Sequence, residues 1–180
     1  MERNTALMFG LAVGLMVGLV LVVILLKFAN KDKKIKTEYD ERQKEIKNKG
    51  YVIGFYTTVA MLAVESLWSI TGIEFPIPEF AVYFLDIIVG VTTMCAYSIW
   101  NGVYCGLNND KKRYGIIFAI AIALNLIPVI NGAIRGDFLS NDPIESLPIF
   151  NIIVLAMFVV LLGVMLIRAL VDKTSAGEED

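Results

Sequence analysis

Five long apolar stretches constrain this chain of 180 residues more than any other feature. A helix that crosses a bilayer needs about 20 mostly apolar residues. Backbone inside a bilayer must satisfy its own hydrogen bonds, and the sequence shows no sustained strand-like alternation. The stretches therefore predict an all-α, polytopic membrane bundle, one domain of about five transmembrane helices, with spans near residues 5–26, 51–72, 80–104, 114–130 and 147–167.

The composition favours the same class. Hydrophobic residues make up 57% of the chain and charged residues 19%, whereas globular proteins average roughly 45–50% and ~25%. These values exclude a water-soluble domain and intrinsic disorder. Two cysteines are too few for a disulfide scaffold, and a net charge of −2 gives no basic footprint for a nucleic-acid partner.

Two of the five stretches leave alternatives open. The fourth, 114–130, is short and contains Asn125 and Pro128, so a short span competes with a re-entrant hairpin. In a span, these two residues fit an interhelical hydrogen bond and a kink. The first has an apolar run from Ala6 to Leu26, which is longer than a signal-peptide core and lacks a cleavage site after it. We interpret it as a retained anchor.

Basic residues are sorted between the predicted loops. Segment 27–50 holds nine Lys and Arg, segment 105–113 holds three and the predicted flexible tail 168–180 holds two, together 14 of the 16 in the chain. Cytoplasmic loops are enriched in Lys and Arg. Five spans with the N-terminus outside and the C-terminus inside put all 14 on one side. This predicts a multi-pass protein of a bacterial-type cytoplasmic membrane, with the lipid bilayer as its first partner.

Segment 27–50 is predicted to be a basic cytoplasmic loop with its own short helix over 38–49. Thr37 can cap this helix with Asp40 in a variant capping box, and Gly50 permits a break before the second span. One interpretation is a docking surface for a protein partner or anionic headgroups. The alternative is a solvated helix that only fixes topology.

The same segment carries a resemblance to a known group of proteins. Its charged centre, followed by a lysine–glycine pair and a second span, reads Tyr39-Asp40-Glu41-Arg42-Gln43. The arrangement resembles small uncharacterised membrane proteins of bacteria and archaea over about 40 residues. The resemblance implies four or five spans and a role beside transcriptional regulators or in self-protection. It implies no catalytic residue.

Three glycines in the first span form a tandem GxxxG series: Gly10, Gly14 and Gly18. Their four-residue spacing puts them on one helix face, where the missing side chains let another helix approach closely. Two hypotheses stay open for this helix-packing face. It can join copies of the chain in a homo-oligomer, or pack against later helices of the same chain.

Two acids lie within the predicted spans, where a charged side chain is costly and is a functional candidate by default. Glu65 lies ten residues before Phe75, and Asp86 lies ten residues after Pro76. A symmetric antiparallel hairpin puts both carboxyl groups at a similar depth, where they can share a proton or hold a cation. Alternatively, each lies near an interface in separate surroundings. The predicted outer loops add an acidic rim of Glu74, Glu79, Asp137, Asp142 and Glu145.

No pattern in the sequence supports an enzyme, a metal site or a cofactor. The chain has no histidine, the commonest general acid–base group, and no Walker loop, dinucleotide fingerprint, nucleophile elbow or zinc-protease helix. Cys95 and Cys105 lie ten residues apart on one predicted helix, too far to pair, and are interpreted as packing residues. The polar run that begins at Asn108 is interpreted as a turn.

The leading functional hypothesis is a small non-enzymatic integral membrane protein. It acts through helix–helix or partner contacts, in an accessory, regulatory or self-protection role, as a homo-oligomer or with another membrane protein. The alternative is an oligomeric cation- or proton-coupled transporter or channel that uses Glu65 and Asp86. A membrane enzyme acting on a lipid is a third hypothesis, suggested only by polar residues at the inner interface.

Overall fold

A computed structural model describes residues 2–75, 77–136 and 147–177 of the chain. These residues form five helices and no strand: α1 (Glu2–Ala29), α2 (Glu41–Ile70), α3 (Glu79–Trp100), α4 (Lys111–Arg135) and α5 (Leu147–Gly177). All five are long and apolar enough to cross a membrane. The prediction of an all-helical chain with five such helices is confirmed, while insertion and orientation stay predictions.

Helix α2 differs from the prediction at its beginning. It starts at Glu41 and continues through Gly50 without a break, so segment 38–49 forms no separate helix. Gly50 is buried, and an added Cβ there would lie 3.3 Å from the ring of Tyr97 and 3.4 Å from Ser98 Oγ on α3. The glycine therefore serves close helix packing, and its cost in helix propensity is offset by that contact.

Helix α4 is continuous over 25 residues, a length of about 37 Å. The structure therefore has a helix of full spanning length where a re-entrant hairpin was the competing hypothesis. Pro128 lies inside this helix. Asn125 Nδ2 donates to the carbonyl oxygen of Ala121 at 2.8 Å, a bond within its own helix.

Helix α5 extends beyond the predicted span and takes in much of the predicted tail. It ends at Gly177, ten residues after Ile167. Arg168 and Asp172 form an i,i+4 ion pair at 2.9 Å on the added turns. Such pairs stabilise a helix by a few tenths of a kcal/mol, which is consistent with a helix that continues past its apolar part.

The described chain divides into two compact units. The first comprises Met1–Asp40 with Cys105–Ile117, and the second comprises Glu41–Tyr104 with Phe118–Asp180. In the second unit, α3 packs against both α2 and α5. The contact with α5 is apolar and is built on Ala81, Ile149 and Ile153, with the rings of Phe80 and Phe84 against Phe150. Apolar burial accounts for this half of the unit.

In the first unit, asparagine side chains add to the backbone hydrogen bonds that join its two segments. Asn30 is fully buried and Asn109 nearly so, and Nδ2 of Asn109 donates to Oδ1 of Asn30. Nδ2 of Asn30 donates to the carbonyl oxygen of Lys34 at 2.7 Å. Asn108 Oδ1 accepts from the backbone N–H of Glu38 at 2.9 Å. The run that begins at Asn108 is therefore more than the predicted turn. Its side chains form a clamp that joins the segment after α1 to the segment before α4.

An aspartate and an arginine complete the clamp. The backbone N–H of Lys34 and the Asn108 amide both donate to the Asp32 carboxylate, and these bonds lower the pKa of Asp32 below its ordinary 3.8. The Arg113 guanidinium donates to the carbonyl oxygen of Phe28 at 3.1 Å. It thereby caps the last turn of α1, where a cation is favoured by the helix dipole.

Candidate proton- and cation-binding site

The α2–α3 contact depends on small residues at four-residue spacing. An added Cβ at Gly54 would lie 2.9 Å from the carbonyl oxygen of Gly90, and one at Gly90 would overlap Thr58 Oγ1. On α2, Gly50 and Gly54 form a second GxxxG motif, and Thr58 continues the same four-residue spacing. This series differs from the prediction, in which Gly50 permits a break before the second span. The spacing alone could have revealed it.

The same face of α2 carries the first candidate acid. Glu65 follows Gly54 by eleven residues, which is about three turns of helix. On α3, Glu79, Tyr83 and Asp86 precede Gly90 at helical spacing and share its face. The glycines that bring the helices together therefore also direct an acid from each helix into the contact.

Glu65 and Asp86 meet in the structure. Their side chains lie within hydrogen-bonding reach of each other. Asp86 is 1% exposed, and its Oδ2 has no hydrogen-bond partner among the described residues. Glu65 is partly exposed. The pair thus has one deeply buried member and one that reaches toward solvent.

The register of the hairpin differs from the symmetric one used to predict this pair. Gly54 contacts Gly90 and Met94, so equal steps along both helices put Glu65 level with residues 79–83. Asp86 then lies three to seven residues further from the α2–α3 loop than Glu65, about 5–10 Å along the helix axis. Helical side chains lean toward the N-terminus of their own helix. In an antiparallel pair the two side chains lean toward each other, and this closes the gap.

The pair has no basic partner in the part of the chain that the structure describes. None of the ion pairs there involves Glu65 or Asp86. Lys49, at the other end of α2, lies sixteen residues from Glu65, about 24 Å along the helix. Ionised carboxylates only accept hydrogen bonds, so two in contact need a proton or a cation between them.

A pocket of about 850 Å³ opens beside Glu65 at the loop end of the α2–α3 hairpin. Trp68 shapes its wall: Nε1 donates to the carbonyl oxygen of Ile73 at 2.9 Å, and the indole stacks on Phe75 with ring centroids 5.5 Å apart. The chain turns at Gly72, whose φ of +71° suits glycine. Across the pocket, the Tyr83 hydroxyl donates to Glu79 Oε1 at 2.8 Å. Two further acids thus line the pocket, Glu74 and Glu79.

The glycine series of α1 belongs to the first unit. Gly10, Gly14 and Gly18 lie on α1, and an added Cβ at any of them would meet nothing within 4 Å. Three acids of the predicted rim lie outside the described residues: Asp137, Asp142 and Glu145. Within the described ranges, no group of three or more His, Cys, Asp or Glu side chains is arranged to hold a metal ion.

Comparison of the chain with protein-family models, curated proteins and solved structures gave no match. The resemblance of the segment around Tyr39 to small membrane proteins of bacteria and archaea stays a prediction. The carboxyl pair and the pocket beside it are therefore the features of the molecule that indicate a function.

Proposed function

We propose that this chain is a small, non-enzymatic, multi-pass protein of the cytoplasmic membrane that exchanges a proton at the Glu65–Asp86 pair. This is the chemistry of a proton- or cation-coupled transporter or channel. The observation that carries the proposal is the buried Asp86: its Oδ2 has no hydrogen-bond partner in the described part of the chain, and its carboxyl group reaches Glu65. A proton held between the two carboxyl groups gives each of them a hydrogen bond.

The free-energy cost of an acid within a spanning helix favours a function for this pair. An ionised acid at the centre of a spanning helix costs about 2.5–3.5 kcal/mol on insertion scales. An apolar residue at position 86 would avoid that cost and would suit the apolar surroundings of α3. A paired acid with a solvent-facing neighbour can instead take up and release a proton. A role in proton movement would explain why a costly acid stands at this position.

Proton flux in proteoliposomes tests the proposal. We expect vesicles with the wild-type chain to change internal pH when a potassium gradient and valinomycin impose a membrane potential. The double variant Glu65→Gln with Asp86→Asn has similar shape and cannot hold the exchangeable proton, so its flux is expected to fall to that of empty vesicles. Asp172→Asn, on the last turns of α5, is the control and keeps the flux. Equal flux in the wild type and the double variant would disprove the proposal.

A second candidate function rests on α1. Within the first unit, an added Cβ at Gly10, Gly14 or Gly18 would meet no described residue within 4 Å. The glycine spacing favours close approach of another helix, and self-association or contact with a membrane partner would supply one. In this case the protein has an accessory, regulatory or self-protection role. Cysteine crosslinking at position 14 in native membranes tests it: dimers that Gly10→Ile and Gly18→Ile abolish support it, and a chain that stays monomeric without partners contradicts it.

A further inference from the structure

The pocket beside the carboxyl pair is far larger than a proton or an inorganic ion needs. Its volume of about 850 Å³ falls in the range of roughly 300–1,000 Å³ typical of sites for small organic ligands. We propose that it binds an organic cation, a quaternary or protonated amine with apolar substituents, whose charge lies against Glu65. This inference deepens the proposed function, on which it rests, by naming the ligand class of the same site.

The aromatic wall suits such a ligand. Trp68 is 41% exposed and Tyr83 is 47% exposed, so both have ring surface available to a molecule in the pocket. Trp68 is also fixed in place by its bond to Ile73 and its stacking on Phe75. Aromatic faces attract organic cations, with Trp the strongest, and a ring held in place loses little entropy on binding.

The charge of the pocket has one sign. Three carboxyl-bearing residues line it, Glu65, Glu74 and Glu79, and no lining residue is basic. The Tyr83 hydroxyl holds Glu79 in position. Such a cleft raises the local concentration of cations and repels anions. Asp86 does not line the pocket, but it lies next to one of its walls: it is buried, its Oδ2 has no hydrogen-bond partner among the described residues, and its carboxyl group reaches Glu65.

Ligand binding and proton exchange then compete for the same carboxyl group. The empty pair holds one proton between two carboxyl groups and carries one negative charge. When a cation binds against the Glu65 carboxylate, the shared proton leaves to water, and one positive charge replaces another. No covalent bond of the ligand changes. Binding therefore weakens as the pH falls, because the proton reoccupies the pair.

Tetraphenylphosphonium is a suitable probe, since its charge does not depend on pH, and tetraphenylborate is its anionic counterpart of the same shape. We expect saturable binding of the cation to the full chain in nanodiscs of neutral lipid, measured by equilibrium dialysis, and no saturable binding of the anion. Glu65→Gln is expected to weaken binding by about 30-fold or more, the usual consequence of removing one member of a desolvated charge pair. Asp172→Asn is the control.

A second variant separates loss of the pocket from loss of the pair. Ser69→Trp puts a large side chain in the pocket and leaves both carboxyl groups in place. It is expected to abolish tetraphenylphosphonium binding while the proton flux of the vesicles persists. Equal binding of cation and anion, or cation binding unchanged by both Glu65→Gln and Ser69→Trp, would overturn the inference.

Proton release distinguishes the two proposals. With a pH dye in weak buffer, about one proton is expected to appear for each tetraphenylphosphonium bound. Binding without release, together with absent flux, refutes proton exchange at the pair and leaves the organic-cation pocket standing. Flux that the double variant abolishes, without cation binding, refutes the pocket and leaves proton exchange standing.

Discussion

Replacing Gly90 by alanine tests whether close helix approach assembles the α2–α3 site. The added Cβ would overlap Thr58 Oγ1 and would lie 3.0 Å from the carbonyl oxygen of Gly54. Rotating the threonine cannot relieve both contacts, since the second is with backbone. Rotation would also break the bond that Thr58 Oγ1 donates to the Gly54 carbonyl oxygen at 3.1 Å. The helices must therefore separate.

The magnitude follows from two opposing terms. Overpacking a close contact costs about 1–3 kcal/mol, and alanine is favoured over glycine in a helix by roughly 0.5–1 kcal/mol. Gly163→Ala on α5 is the matched control, because an added Cβ there meets nothing within 4 Å. Gly163→Ala therefore has only the gain in helix propensity. The difference in unfolding free energy between the two variants is then the cost of the contact, about 1–3 kcal/mol.

Titration of the detergent-solubilised chain with dodecyl sulfate, followed by far-UV circular dichroism, measures this difference. Gly90→Ala is expected to unfold at a lower denaturant fraction than the wild type, and Gly163→Ala at the same or a higher one. In a Thr58→Ala background the cost of Gly90→Ala is expected to shrink, because the overlapping hydroxyl is gone. Equal stability of Gly90→Ala and Gly163→Ala would show that α2 and α3 do not approach at these residues.

Three further predictions concern single side chains. Glu65→Asp keeps the charge but shortens the reach, so the proton flux of vesicles is expected to fall several-fold, whereas the same exchange at Glu45 near the start of α2 leaves it unchanged. Asn109→Ala leaves the buried amide oxygen of Asn30 without its donor, and the free energy of unfolding in dodecyl sulfate is expected to drop by about 1–3 kcal/mol. The pKa of Asp32 is lowered by folding, so its contribution to stability is present above its ordinary value of 3.8 and is lost as the pH falls below it. Asp32→Asn is expected to flatten the pH dependence of the melting temperature between about pH 5 and 2.

The number of helices followed from the sequence because spanning length is a local property. Twenty apolar residues in a row are visible without knowledge of any neighbour. The ends of the helices were harder to predict, because polar residues such as Glu41 and Asp172 continue a helix once an apolar part has nucleated it. Gly50 shows the limit clearly. A glycine before an apolar stretch fits a break as well as a contact, and only the opposite helix decides between them.

The asparagine clamp lay beyond sequence reasoning for a different reason. Asn30 and Asn109 are 79 positions apart, and neither has a periodic pattern around it that predicts a partner. An asparagine after a helix usually satisfies its own turn. Here the amides of two distant segments satisfy each other, and a close approach at Gly106 makes room: an added Cβ there would lie 2.5 Å from the carbonyl oxygen of Glu38.

The geometry around the carboxyl pair differs from the one that suggested it, and the role of the pair stays a prediction. Counting from the turn predicts a similar depth for Glu65 and Asp86, whereas the glycine contacts put Asp86 further from the α2–α3 loop than Glu65. The pair still meets, because antiparallel helices tilt their side chains toward each other. This offset gives the two acids different surroundings, one at the pocket wall and one buried. A symmetric pair would have two equivalent groups, whereas here Glu65 is partly exposed and Asp86 is buried, so the two carboxyl groups differ in their access to solvent.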